Sequence, residues 1–260
     1  MTEPQPRFQT LALGQVGYRF QFARSVVYVD PYLSDYVERV EGPDLRRLFP
    51  VPFAPEAVRD GDWVLITHAH IDHCDPMTVV PIAKASPRCR FVGPGPVLAV
   101  LRQQGIDEAR LRPASETEWL ALGDALQVIA VPAAHPTISR NGGGCAHCVG
   151  YVIEYRGRRI YHAGDTSLAD ELLASLKELA PIEIAFLPVN ERNYFRERRG
   201  IIGNMTLREA FGLADEVGIR TVVPVHWDMF APNCVPRQEI ELAYELLKPA
   251  FEMKIYPAEL

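Results

Sequence analysis

The chain has 260 residues, a formal net charge of −6 and five cysteines. That length carries one large α/β domain with a substantial core, and the acidic balance offers no general attraction to nucleic acid or to an anionic membrane. An odd number of scattered cysteines (Cys74, Cys89, Cys145, Cys148, Cys234) is no disulfide framework, and the opening MTEPQPRFQT has no basic stretch followed by an apolar run. No segment approaches about 18 uninterrupted apolar residues. The expectation is a single cytoplasmic domain over residues 1–260 with reduced thiols, no nucleic-acid or membrane partner, and homo-oligomerisation left open.

In chain order, residues 1–6 are polar and proline-bearing and are expected to be a loose end. Strands are predicted over 8–13 and 25–29, with Gly14 and Gly17 marking the connection. The second ends in Asp30-Pro31, which from the residues alone is equally a turn or an acid orienting a ligand histidine. Residues 35–61 hold four prolines (Pro43, Pro50, Pro52, Pro55) but also Leu45, Leu48, Phe49, Val51 and Phe53. They are too apolar for a disordered linker and are expected to lie over the domain as a loop near the site.

The apolar run Trp63 to Ile66 then reads as a buried strand that ends in Thr67-His68-Ala69-His70-Ile71-Asp72-His73, before Asp75-Pro76 opens a helix to about residue 85. Three imidazoles and a carboxylate crowd into six residues. They would repel one another if protonated and gain little packing if neutral. Neutral imidazole bound to a divalent cation resolves both problems, and this donor set suits zinc and its neighbours.

A strand over 91–93, a helix over 96–104 stopped by Gly105, and strands over 118–122 and 125–131 across Gly123-Asp124 follow. The last of these runs into Pro132-Ala133-Ala134-His135. After the loop Asn141-Gly142-Gly143-Gly144, strands over 149–155 and 159–161 lead to His162-Ala163-Gly164-Asp165-Thr166. Ser167 is expected to cap a helix over 168–179, and Thr206-Leu207-Arg208-Glu209 is a capping box opening a helix to about 217. Between them lies a strand over 184–189. A strand over 221–225 delivers His226, and a helix over 238–247 precedes a short terminal strand.

Four apolar strands thus end in ligand-type residues. If they lie in packed sheets with matching ends, His68, His70, Asp72, His73, His135, Asp165 and His226 converge, which is too many ligands for one tetrahedral ion and suits two ions sharing a carboxylate. Taken singly, His135 beside Pro136 is as readily a turn residue, Asp165 a helix-start residue, and His226 an interfacial histidine beside Trp227. His162 is expected to point back along its strand in an orienting or structural role. Cys145-Ala146-His147-Cys148 has no second CxxC or HxxxH at the usual distance, so its cysteines, like Cys74, read as wall or core residues.

HxHxDH after an apolar strand resembles the metallo-β-lactamase superfamily, and the resemblance spans about residues 8–256. It implies a four-layer αββα sandwich. It also implies His68, His70 and His135 on one ion, Asp72, His73 and His226 on the other, Asp165 as the bridge, and Asp30 as an orienting acid. Within the superfamily, Gly203-Asn204-Met205-Thr206, Val223-Pro224-Val225-His226-Trp227-Asp228-Met229-Phe230 with Asn233, and Tyr161-His162-Ala163-Gly164-Asp165-Thr166 look like the L-ascorbate-6-phosphate lactonase branch. That branch uses manganese or zinc to open a phosphorylated sugar lactone. This chain is shorter and carries His135 where the lactonase has a carboxylate, which puts the particular substrate in doubt and leaves hydrolysis untouched.

The chemistry implied is hydrolysis of a small anionic ester or lactone by a hydroxide bridging two divalent ions, Zn2+ or Mn2+, with Asp72 handling the proton. The alternative is a phosphodiesterase acting on a phospholipid-derived or cyclic phosphate at the same dinuclear site. Asn193, Arg196, Asn204 and Trp227 are the candidate substrate contacts, and the basic stretch 190–199 is as readily a solvated loop as an anion clamp. Outside hydrolysis, di-iron oxygen-reducing relatives carry HxExD, whereas position 70 here is His and position 72 is Asp. An inert binding module is disfavoured because seven ligand-type residues are costly to bury for packing alone.

Overall fold

The structure, a computed structural model, describes residues 7–260, and the loose end expected at 1–6 lies outside the described residues. Alternating apolar residues build two sheets. The first runs in the order β1 (Gln9–Gly14), β2 (Gly17–Phe22), β3 (Ser25–Val29), β4 (Trp63–Leu65), β5 (Arg90–Gly93) and β6 (Leu111–Pro113). The second holds β7 (Leu120–Gly123), β8 (Leu126–Pro132), β9 (Val149–Tyr155), β10 (Arg158–His162), β11 (Ile184–Pro188), β12 (Thr221–Val225) and β13 (Glu252–Met253), again side by side in sequence order.

Phe20, Val27 and Leu65 of the first sheet pack against Tyr151, Ile153, Phe186 and Val223 of the second, with the Phe20 and Phe186 rings edge-on at 5.3 Å. On the outer face of the first sheet, Val64 and Phe91 bury residues of α2 (Pro76–Ala85) and α3 (Gly95–Gln103). On the outer face of the second, Val152, Ala185 and Val222 bury Leu172 and Leu176 of α4 (Asp170–Glu178), Phe211 and Ala214 of α6 (Leu207–Val217) and Ile240 of α7 (Arg237–Leu247). The result is the four-layer αββα sandwich. Two shorter helices, α1 (Tyr36–Glu41) and α5 (Tyr194–Glu197), lie in the long connections.

Several local expectations need correction. The span after Gly17 is a strand of its own: Tyr18, Phe20 and Phe22 are fully buried while Arg19 and Gln21 face outward, a two-residue period overlooked beside the two glycines. β6 was not anticipated either, and α1 interrupts the stretch expected to be irregular. Ser167 does not cap α4. Its backbone N–H is bound to Ala134 O at 2.7 Å, which keeps the chain extended until Ala169 takes the N-cap position. By contrast, the Thr206–Glu209 capping box is present, and Asp75 caps α2 by accepting from Met77 N.

Strand direction determines where the site lies. β3 and β4 are parallel, so Asp30 and the segment from His68 leave the first sheet at the same edge. β8 and β10 are each antiparallel to β9, and β10, β11 and β12 are parallel, so β8, β10 and β12 all deliver their carboxyl ends to one edge of the second sheet. No helix among the described residues is long and apolar enough to cross a membrane.

Candidate metal centre

All seven predicted ligand residues meet at that edge. His68 Nε2 lies 2.9 Å from His70 Nδ1, and His135 Nε2 lies 3.2 Å from the same atom, so three ring nitrogens face one point. Beside them, Asp72, His73 and His226 form a second cluster. The Asp165 carboxylate stands between the two: Oδ1 is 3.4 Å from His73 Nε2, and Oδ2 is 3.2 Å from His226 Nε2 and 3.6 Å from His135 Nε2.

These distances are a test of fit. His70 Nδ1 faces two other nitrogens, and a single proton cannot satisfy all three rings. His73 Nε2 and Asp165 Oδ1 are buried and make no hydrogen bond among the described residues, an arrangement that is costly unless something else occupies the space between them. A cation about 2.0–2.1 Å from each imidazole nitrogen would satisfy the atoms as placed. The donor set fits a divalent metal.

The orientation of the ligands is built in. Asp30 Oδ1 accepts from Thr67 N at 2.8 Å, and Oδ2 accepts from Thr67 Oγ1 at 2.6 Å and from His73 Nδ1 at 2.8 Å. That bond sets the His73 tautomer and turns Nε2 toward the site. Gly164 allows the Asp165 turn to approach, since a Cβ there would lie 2.6 Å from Thr67 Oγ1 and its φ is +60°. Among the described residues, His162 makes no hydrogen bond or ring stack with the ligand set. Its Nε2 donates to Val16 O at 2.8 Å, its Nδ1 accepts from Gly164 N at 3.3 Å, and its ring stacks on Phe186, so it braces two turns of the site.

Electrostatics divide the set in the same way. Burial, then the neighbouring His73, pushes His68 well below the usual histidine range, and burial brings His135 down to about 4. Burial also opposes charge on His73, but the carboxylates of Asp165, Asp72 and Asp30 outweigh it and raise this histidine. In turn, His226 and His73 hold Asp165 ionised against its burial, and His73 and His226 do the same for Asp72. Ionised carboxylates and the neutral His68 and His135 rings are forms a cation binds, whereas a cation would have to displace the proton that the carboxylates favour on His73.

The centre forms the floor of a cavity of about 600 Å³ with apolar walls that include Val37, Leu45, Ile71, Ile201 and Phe230. Only the start of the stretch expected to lie over the site does so, through Val37, Glu41 and Leu45, whereas Val51, Phe53 and Val58 pack in the outer core of the first sheet. Arg199 also lines the cavity, and its guanidinium makes no hydrogen bond or ion pair with any of the described residues.

The substrate contacts expected from the sequence are not on this wall. Asn193 caps α5 by accepting from Phe195 N and Arg196 N. Arg196 is buried and donates to Glu191 O and Cys234 O at 2.7 Å each and to Pro232 O at 3.3 Å, so its charge rivets the loop and clamps no anion. Asn204 is fully buried and bonded to Asn190, while the Trp227 indole donates to Pro224 O and stacks on Tyr256. Cys145, His147 and Cys148 belong to none of the ligand clusters among the described residues; His147 pairs with Ser139, and burial raises the Cys148 thiol to about 11. Cys74 is buried with its thiol pushed up to about 12. Sequence reasoning missed Gln15, whose amide lies 2.8 Å from Asp72 Oδ2.

Two helix-backed sheets with a histidine and aspartate set at the carboxyl ends of their strands define a candidate metal centre on an αββα sandwich. The chain belongs to the beta-lactamase superfamily, whose domain model matches residues 26–227. A UPF0173 metal-dependent hydrolase of Pyrobaculum arsenaticum is 30% identical over 219 residues, spanning 84% of this chain and 83% of that protein. Igni18, a metallo hydrolase from Ignicoccus hospitalis, superposes with a TM-score of 0.70 at 20% identity, covering 98% of this chain and 97% of its own. An isothiocyanate hydrolase from Delia radicum gut bacteria gives a TM-score of 0.71 at 17% identity, with 98% of each chain covered. At such identities the structural likeness speaks for the fold alone.

Proposed function

We propose that this metal-dependent hydrolase of the beta-lactamase superfamily holds two divalent ions, Zn2+ or Mn2+, and opens a small anionic ester or lactone of the sugar-phosphate-lactone kind. The observation that supports this most directly is the convergence of seven ligand residues on the floor of a cavity whose wall carries an uncommitted guanidinium. His68, His70 and His135 would hold one ion, Asp72, His73 and His226 the other, with Asp165 between them. When bound, the ions supply Lewis acidity at the scissile carbonyl and an activated water.

The chain's own residues do the rest. Asp30 keeps His73 in the ligand tautomer. Asp72 lines the cavity and is placed to take the proton of the attacking water and return it to the leaving oxygen. Arg199 offers a planar two-pronged donor to a phosphate or carboxylate of the substrate. The HAGDT, GNMT and VPVHWDMF segments support the lactonase branch by resemblance.

Elemental analysis of protein purified without chelator is expected to give about two transition-metal ions per chain. A value near zero after reconstitution would sink this reading. Metal-loaded protein should turn over phosphorylated sugar lactones and leave bis-p-nitrophenyl phosphate untouched; the reverse outcome assigns the centre to phosphodiesters.

Two arginine variants separate recognition from scaffolding. Arg199→Ala should raise KM for an anionic lactone about tenfold with kcat little changed, because it removes binding made equally in ground and transition states. Arg196→Ala should lower the melting temperature and leave KM alone, since three carbonyl oxygens lose a charged donor at about 1.5–3 kcal/mol each at most. Swapped phenotypes would return the anion-binding role to Arg196.

A further inference from the structure

The turn between β1 and β2 presses a residue with no metal-ligand character against the second cluster. Gln15 is buried, and its Nε2 lies 2.8 Å from Asp72 Oδ2 and 3.2 Å from His226 Nε2. Its backbone oxygen accepts from His226 N at 2.9 Å. One residue therefore grips two ligand candidates, one through its side chain and the other through its main chain. Among the described residues its amide has no other hydrogen-bond partners.

The backbone at this point is under strain. Gln15 and His226 both have left-handed φ, 58° and 61°, a region that costs a non-glycine residue on the order of 1 kcal/mol or more. Gly17 lets the turn close onto the end of β3, because a Cβ there would lie 2.7 Å from Asp30 O. The hairpin turn between β1 and β2 requires the Gln15 conformation, as the turns at Ala23, Ala125 and Arg156 require theirs, and this turn carries Gln15 against Asp72 and His226.

We infer that Gln15 is a positioning residue for the second ion: its amide N–H fixes the Asp72 carboxylate, and its carbonyl fixes the backbone that carries His226. This rests on the two-ion reading above. A carboxylate on a free side chain rotates about its terminal bond, and the amide holds Oδ2, the oxygen that lies 3.6 Å from His73 Nε2 and 3.8 Å from His226 Nε2, facing the second cluster. Gln15 does not touch substrate and acts only through these two ligands.

The test is a stepwise zinc titration of metal-free full-length protein in competition with a chromophoric chelator, with thermal melting alongside. Gln15→Met keeps the length of the side chain and removes the donor; it should weaken one of the two ions by about 10- to 100-fold and leave the other unchanged. Gln15→Asn favours the left-handed backbone and keeps an amide, but a methylene short of Asp72, and should lose the same ion. Equal weakening of both ions, or of neither, overturns the assignment. So does Gln15→Asn binding like the wild type, because the backbone and not the amide would then hold the site. A wild type that takes up no second ion overturns this inference and the two-ion reading together, whereas two ions bound equally well by wild type and both variants overturns this inference alone.

Discussion

Asp72→Asn is expected to lower kcat by about 100-fold or more at full metal load, with KM little changed. Asparagine has the size of aspartate and can still coordinate through oxygen, yet it cannot accept a proton. Asp72 is the one ligand carboxylate on the cavity floor with substantial exposure, its side chain being 19% accessible against 5% for Asp165. It can reach the reacting water while Asp165 is enclosed by histidines. A group that acts on a proton in flight contributes to the transition state and has little reason to contact the ground-state substrate. Metal content must be measured on the same preparation. A near-wild-type kcat at full loading would leave Asp72 as a ligand only.

Asp165→Ala should strip both ions, whereas His226→Ala should strip one. The Asp165 oxygens face members of both clusters, His73 and His226 on one side and His135 on the other, so losing its charge weakens both ions at once. Among the described residues, His226 belongs to the second cluster alone, with Asp72 and His73. It follows β12 at the sheet edge, and its removal leaves no large apolar cavity, so the fold should survive. Elemental analysis after dialysis, with thermal melting, decides both. One ion retained by Asp165→Ala would confine that residue to a single cluster, and unchanged metal in His226→Ala would assign His226 to the packing around Trp227.

The candidate ligand residues, which the structure brings together, were legible because their chemistry is local. His68, His70, Asp72 and His73 announce a cation by crowding, and His135, Asp165 and His226 each follow an apolar run whose end can be read directly. Their common edge needed strand directions, which the superfamily resemblance supplied and the pairing of β8 through β12 bears out. Substrate contacts were not legible. A charge run does not reveal that Arg196 is consumed by three carbonyl oxygens while Arg199, three residues on, is free to face the cavity. Gln15 was invisible for another reason: its partners stand 57 and 211 positions away, and a glutamine between two glycines looks like any turn. β2 could have been read, because Tyr18, Phe20 and Phe22 alternate strictly with Arg19 and Gln21.

Each sheet is made from a continuous stretch of chain, β1 to β6 ending at Pro113 and β7 to β13 beginning at Leu120. The centre draws on both, with His68, His70, Asp72 and His73 from the first stretch and His135, Asp165 and His226 from the second. Divided in the loop between them, the protein would yield two fragments, neither holding a complete cluster around Asp165. Bound metal would then add a latch to the apolar packing of the two sheets, and a chelator would be its key. The shared core, the Tyr151 hydroxyl on Ile66 O and the paired backbone bonds of Phe8 and Leu260 would still hold the fragments together.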